Sequence, residues 1–379
     1  MSAAYQAQQY SVFYSAPLQR EEDARPPFLE FFAGSGLVSY AMSPYFKMVW
    51  ANDICPKKAA VFWANHEGAP FDLGSVTEVN GKRLPRALLA WGSFPCQDLS
   101  LAGNGEGIRA KRSGLVWEWL RVMDEMPIRP PILAAENVVG LISANNGAHY
   151  RELHQALIER GYRAGAMLLD AVHWLPQSRP RVFVVAVDAR MAIPRELVAS
   201  GPTWAHSSAI RNAAKNLEDW IWWRLPTPEK HNVTLSDVVD FSLACHDEAA
   251  SQKNLAMIPP AHMHRLETSE LRVAPGYKRI RNGKQVLELR FDDIAGCLRT
   301  PAGGSSRQYL VIKQGKEWKT RILSPREAAR LMGAPETFKL PGTFNDGYKA
   351  MGDAVAAPVA AHLAEHLLSP LAAVCDDLS

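Results

Sequence analysis

Between Phe28 and Val187 the chain alternates short apolar runs with segments of helical spacing. The strand-like runs are Phe28 to Phe32, Met48 to Asn52, Ala87 to Trp91, Ile132 to Ala135, Ala166 to Val172 and Val182 to Val187, and helical spacing appears between them, as in Tyr150 to Arg160. Strands separated by helix-length segments can pair side by side only through crossovers, so this rhythm predicts a doubly wound α/β fold on a parallel sheet. Such a sheet binds ligands outside the carboxyl ends of its strands, which makes the residues just after each run the ones to read for function.

The chain has 379 residues, of which 47% are hydrophobic. That is room for about two domains of roughly 100–200 residues. Residues 1–27 read as a polar, Gln-rich extension with no charged-then-apolar leader pattern, and no run approaches the roughly 18 apolar residues of a membrane span. The five cysteines form no CxxC pair and no zinc-type spacing, so no metal is expected, and reduced thiols point to a cytoplasmic protein. A net charge of +3 says nothing about partners unless basic residues cluster.

Texture changes after Asp188. From there to Trp318 the chain is rich in Pro, Trp and His, with short runs at Tyr277 to Arg281, Val286 to Phe291 and Gln308 to Ile312. Residues 28–188 and 319–379 are therefore expected to form one domain, and 189–318 an inserted, loop-rich second domain. Regularity returns at Ser324-Pro325-Arg326-Glu327, which has the chemistry of a helix start, and a last helix is predicted over Ala357 to Leu368.

The first run breaks into Ala33-Gly34-Ser35-Gly36 before a helical segment. Glycines let a backbone turn tightly while a ligand lies against it. The second run ends in Asp53, 19 residues after Gly34, where a carboxylate can accept hydrogen bonds from a ribose diol. The full GxGxxG fingerprint is absent, which disfavours a nicotinamide dinucleotide; taken alone, the segment also reads as a structural turn with an incidental Asp.

Cys96 follows the third run, with Pro95 before it fixing the backbone. By itself such a cysteine is either an apolar filler or an aimed nucleophile. The stretch Ser100 to Gly114 holds four glycines among Arg109, Lys111 and Arg112, and reads either as a lid over a phosphate backbone or as a solvated loop. Glu136 follows the fourth run, where an apolar setting would raise its pKa and keep it able to donate a proton. Arg179 and Arg181 precede the last run, and strand alternation would point both the same way, toward a carbonyl oxygen and nearby phosphates. Capping and surface salt bridging are the bland alternatives for these charges.

Taken together, Phe32-Ala33-Gly34-Ser35-Gly36, Pro95-Cys96-Gln97, Glu136-Asn137-Val138, Gln177-Ser178-Arg179-Pro180-Arg181, Pro325-Arg326-Glu327 and Gly352-Asp353-Ala354-Val355 resemble, in order and spacing, the motifs of the DNA (cytosine-5)-methyltransferases of bacterial and phage type. The resemblance covers Phe28 to Val187 and Arg321 to Leu368. It implies a Rossmann-like S-adenosylmethionine-dependent methyltransferase sheet with an inserted target-recognition domain, acting as a monomer on a specific sequence in double-stranded DNA, alone or paired with a restriction endonuclease.

The resemblance implies that Cys96, as thiolate, attacks C6 of a flipped-out cytosine while Glu136 engages N3 and Arg181, with Arg179, the O2 side. The methyl group of S-adenosylmethionine would pass to C5, leaving S-adenosylhomocysteine. Phe32, Gly34, Gly36, Asp53, Ile54, Ser75, Pro95, Asp353 and Val355 would hold the cofactor. DNA contacts would come from Gln97, Ser100, Arg109, Lys111 and Arg112 on the lid, and from Arg279, Arg281, Arg299 and Arg307 in the second domain. Three positions depart from the family pattern: Ser75 stands for an Asp, Leu37 for a glycine and Asp353 for an Asn, all toward the cofactor. An RNA (tRNA) cytosine-5 methyltransferase on the same scaffold, and a non-catalytic DNA-binding regulator, are the alternatives; the large insertion favours DNA over the first, and intact Cys96, Glu136 and Arg181 oppose the second.

Overall fold

The computed structural model describes residues 25–95, 114–300 and 307–375. They fall into two compact units. The larger contains the described residues of 15–170, 180–228 and 357–379; the smaller contains those of 171–179 and 229–356. The divisions thus lie at other points than the change of texture at Asp188 and Trp318. No helix among the described residues is long and apolar enough to cross a membrane.

The larger unit is built on a seven-stranded sheet of order β3-β2-β1-β4-β5-β7-β6. Its strands are β1 (Pro27–Phe31), β2 (Lys47–Asp53), β3 (Phe71–Leu73), β4 (Leu89–Gly92), β5 (Ile132–Val138), β6 (Tyr162–Asp170) and β7 (Pro180–Asp188). The first five are parallel, but β7 runs antiparallel to both β5 and β6. The wholly parallel sheet expected from the rhythm is corrected to a mixed one, because only a short connection, 171–179, separates β6 from β7, and a helical crossover needs more chain.

Apolar residues on both faces of the central strands explain their near-continuous hydrophobic runs. Against one face lies the helix Leu115–Glu125, which buries Val116, Trp119, Leu120, Val122 and Met123 in a core shared with Leu29, Phe31, Ala90 and Leu133. Gly92 admits this packing: a Cβ there would sit 3.0 Å from the Trp119 ring. Deleting a ring of that size from such a core costs roughly 3–5 kcal/mol.

The smaller unit carries an antiparallel sheet of order β11-β10-β8-β9, made of β8 (Val273–Arg281), β9 (Lys284–Leu289), β10 (Gln308–Gln314) and β11 (Glu317–Ile322). Asn282 and Gly283, both at positive φ, form the two-residue turn between β8 and β9 that matches the twist of a hairpin. Ala274, Leu287, Tyr309 and Val311 make a core with Leu266 of the helix Pro260–Thr268. The helix Pro325–Leu331 starts as its sequence predicts: Ser324 and Glu327 form a reciprocal capping box.

Candidate active site

The strand order reverses between β1 and β4, and the two segments of greatest interest leave the sheet there. After β1 the chain passes through Phe32 at φ 57, Gly34 at φ 58 and Gly36 at φ 76 before the helix Leu37–Met42. A bulky residue such as Phe32 is strained in the left-handed region, and such strain collects at ligand sites. The turn is held by Ala33 N–H donating to Asn52 O at 2.8 Å, Gly36 N–H to Ala33 O at 2.9 Å and the His66 ring to Gly36 O at 2.9 Å. Burial pulls the His66 imidazole below its usual pKa, with the Gly36 bond opposing.

Gly36 tolerates no side chain, since a Cβ would lie 2.6 Å from Phe62 and His66. Gly34 is different: only Lys58, at 3.9 Å, stands near its missing Cβ, so the backbone presents an open face. Ser35 Oγ and Asn52 Oδ1 are buried beside this turn without a protein partner. Buried polar atoms of this kind carry a desolvation cost until something bonds them, and two of them at an open glycine turn suit a polar ligand.

Asp53, at the end of β2, accepts Gly34 N–H at 2.9 Å on Oδ2 and Cys55 N–H at 2.8 Å on Oδ1. Each oxygen keeps a lone pair for a further donor. Ile54 is 68% exposed just beyond it, and Leu73, which pairs with Asp53 in register, is 45% exposed. Two large apolar side chains left in water beside a carboxylate match a nucleoside, with a diol for Asp53 and a flat base for the apolar pair. Leu73 was missed in the sequence because a three-residue strand has no readable period. Ser75 caps the turn Val76–Glu78, its Oγ 2.7 Å from Thr77 Oγ1.

Beneath the turn, Glu30 of β1 is buried and accepts Ser39 N–H at 3.2 Å as well as the Ser39 hydroxyl. Burial pushes its carboxyl up to about 8; the Ser39 bonds oppose the shift and the Asp53 charge adds to it. Sequence reading missed this pair, since an acid inside an apolar run signals only that it must find a partner.

On the other side of the reversal, β4 leads through Ser93, Phe94 and Pro95 toward Cys96. Cys96 itself lies outside the described residues, as do Gln97, Ser100, Arg109, Lys111 and Arg112. The approach to it is fixed: Phe94 is buried, and Asn137 Nδ2 donates to Phe94 O at 3.2 Å. Gly92 of β4 pairs with Ala135 of β5, so Glu136 emerges at the strand end from which the Cys96 segment departs. Glu136 lies near the end of its strand, as its place after the apolar run implies, and β5 continues to Val138 because β7 pairs with it throughout.

Glu136 Oε1 lies 3.0 Å from Arg181 Nε, with both side chains largely buried. Arg181 pairs in register with Val138, placing it diagonally from Glu136 on one face. Arg179 belongs to the smaller unit. It precedes the strand, and its guanidinium donates to main-chain carbonyls of the smaller unit: Leu298 O at 2.8 Å, Gly352 O at 3.0 Å and Ala354 O at 2.7 Å.

The remaining expected residues are in the smaller unit. Asp353 ends the helix Phe344–Asp353, and Val355 is buried. Arg281 pairs with Glu288 at 2.6 Å on the hairpin, Arg279 lies over the Tyr277 ring, Arg299 is exposed and Arg307 bonds Asn345 at 2.6 Å.

Comparison with known proteins gives the family and the fold. The family model for C-5 cytosine-specific DNA methylases matches residues 27–369. Type II methyltransferase M1.ScrFI of Lactococcus lactis subsp. cremoris is 26% identical over 364 residues, 94% of this chain and 81% of that protein. Type II methyltransferase M.HhaI of Haemophilus parahaemolyticus is 25% identical over 350 residues, 91% of this chain and 94% of that one. Among solved structures, the S. pombe Dnmt2 methyltransferase shares the fold with a TM-score of 0.58 at 17% identity, covering 94% of this chain and 99% of that one. Matched over nearly its whole length, the chain belongs to the C-5 cytosine-specific DNA methylase family.

Proposed function

We propose that this protein transfers a methyl group from S-adenosylmethionine to C5 of a cytosine rotated out of a specific duplex DNA sequence. The observation that carries the reading is the Glu136–Arg181 pair at the strand end beside the Asn137-anchored approach to Cys96. A carboxyl and a guanidinium side by side match N3 and O2 of a cytosine edge, and a thiolate arriving from the neighbouring strand reaches C6.

The residues of the glycine turn fit the cofactor. Its carboxylate or amino end would meet the open backbone at Gly34 and the orphaned Ser35 hydroxyl, its ribose Asp53, and its adenine Ile54 and Leu73. Phe32, Gly36, Ser75 and Pro95 would line the same pocket. When bound, it supplies an electrophilic methyl group. The chain's own residues do the rest. Cys96 adds to C6, Arg181 steadies O2 and Glu136 holds the N3 proton, so the charge pushed into the ring is stabilised and C5 becomes nucleophilic. Loss of the C5 proton with expulsion of Cys96 restores the thiolate and the aromatic ring.

Taking a base out of the stack costs a few kcal/mol, which contacts from Gln97, Ser100, Arg109, Lys111 and Arg112 would offset. The smaller unit would read the duplex, with Arg279 and Arg281 on the β8–β9 hairpin and Arg299 and Arg307 flanking residues 301–306. The type II naming of the bacterial relatives supports pairing with a restriction endonuclease. The experiment offers labelled S-adenosylmethionine with duplex DNA and with tRNA. Label at C5 of cytosine in DNA is expected; label in tRNA alone overturns the reading.

A further inference from the structure

The antiparallel sheet of the smaller unit runs out into a two-stranded ribbon. β10 pairs with β8 only from Val273 to Tyr277, so among the described residues Lys278 to Arg281 pair with β9 alone, up to the Asn282-Gly283 turn. Residues 278–287 hold Lys278, Arg279, Arg281 and Lys284 and no acidic residue. A basic ribbon of this kind suits duplex DNA, whose major groove admits two antiparallel strands between its phosphate backbones.

The two faces of the ribbon differ. Strand alternation sets Arg279, Arg281 and Lys284 on one, where Arg279 lies over the Tyr277 ring and Arg281 pairs with Glu288. On the other face Leu287 belongs to the core, and Lys278, opposite it, lies over the Tyr309 ring. Beyond them on that face stand Ile280 and Gln285, directly opposed in register and both exposed. Ile280 is 72% exposed, the highest value for a large apolar side chain among the described residues. Side chains opposed in this way stand about 4.5–5.5 Å apart at Cβ, so an aliphatic group and an amide are offered side by side. Across the major groove an A·T pair presents N7 and the N6 amino group of adenine, then O4 and the methyl group of thymine. A glutamine amide bonds the first two bidentately, and an aliphatic side chain covers the methyl; a G·C pair has neither that amino group nor the methyl.

We propose that the β8–β9 ribbon enters the major groove and that Ile280 and Gln285 together read one A·T pair of the target sequence, Gln285 through the adenine and Ile280 through the thymine methyl. This deepens the proposed function and rests on it. Arg279, Arg281 and Lys284 hold the ribbon to the phosphates and carry no sequence information.

The test uses the full chain, S-adenosylmethionine and a pool of duplexes of random sequence, with methylated cytosines located by bisulfite sequencing. The wild-type protein is expected to require an A·T pair at one fixed distance from the methylated cytosine. In that duplex, uracil in place of the thymine removes only the methyl and lowers kcat/KM about fourfold, the scale of one buried methyl group. Ile280→Ala takes the thymine and uracil duplexes equally well. Gln285→Ala lowers kcat/KM about tenfold to a hundredfold on the A·T duplex and far less on a duplex with G·C there, so discrimination collapses at that pair and at no other. Both side chains are exposed, and Tm values equal to the wild type show that the variants fold. A target made of G·C pairs alone, a wild type indifferent to uracil, a uracil penalty that survives in Ile280→Ala, or discrimination lost equally at every position would overturn the proposal. The function itself fails differently: a wild-type protein that leaves every duplex unlabelled rejects it before any variant is made.

Discussion

Arg181 Nε lies 3.0 Å from Glu136 Oε1, joining β7 to β5 diagonally across one face of the sheet. Because β7 is antiparallel, the start of one strand meets the end of the other, and two charges far apart in sequence share one edge. If the pair engages the cytosine, Glu136→Gln lowers kcat by about 10²–10³-fold, the scale of one lost transition-state donor. Duplex binding, followed by fluorescence anisotropy, stays within a few-fold. Equal losses in binding and kcat would show instead that Glu136 only holds the strands together.

Asp53 bonds two backbone N–H groups and keeps lone pairs for a ligand. Asp53→Asn keeps the shape but weakens these charge-assisted bonds, and the Kd for S-adenosylmethionine by calorimetry is expected to rise about tenfold to a hundredfold. An unchanged Kd would remove Asp53 from the cofactor site.

Glu30 gives the larger unit a pH-dependent stability. Its ordinary value is 4.5 and burial raises it to about 8, so the folded state keeps a proton that the unfolded chain has lost. The contribution is complete below about 4.5 and disappears as pH rises toward 8, with a limiting slope of about 1.4 kcal/mol per pH unit. Denaturant unfolding between pH 5 and 8.5 is expected to show stability falling in the wild type and a flatter profile in Glu30→Gln. Identical profiles would mean that Glu30 does not carry the effect.

Gly36 and Gly161 have similar positive φ values, 76 and 80, but different surroundings. A Cβ on Gly36 meets Phe62 and His66 at 2.6 Å, whereas nothing lies within 4 Å at Gly161. Gly161→Ala bears backbone strain alone, about 1 kcal/mol. Gly36→Ala adds overpacking and is expected to cost about 1–3 kcal/mol more by chemical denaturation, with cofactor affinity falling in parallel. Equal costs would mean that the turn yields to a side chain.

The sheet, its glycine turn and Asp53 were legible because each depends on neighbours in sequence: a run of apolar residues, a break into small ones, a polar residue at the end. Glu136 and Arg181 were legible as charges at strand ends, but their pairing required the direction of β7, which the βαβ rhythm misassigned. The partners of Arg179 were hidden for a deeper reason. Alternation applies only inside a strand, Arg179 lies just before β7, and its partners at Leu298, Gly352 and Ala354 are more than a hundred residues away. The four-stranded sheet of the smaller unit was seen only as short runs, since Pro, Gly and charged residues dilute its period. Phe32 at φ 57 has no local signal, because nothing in a phenylalanine announces a left-handed backbone.

The central claim is covalent attack by Cys96 on cytosine, brought about by the Glu136–Arg181 edge. Duplex DNA carrying 5-fluorocytosine blocks the final loss from C5, so with S-adenosylmethionine the wild-type protein should accumulate a DNA adduct that survives denaturation and maps to Cys96 by mass spectrometry. Cys96→Ala should form none. An adduct that persists in Cys96→Ala, or a wild-type protein that methylates cytosine in duplex DNA yet never traps on the fluorinated base, would contradict the account.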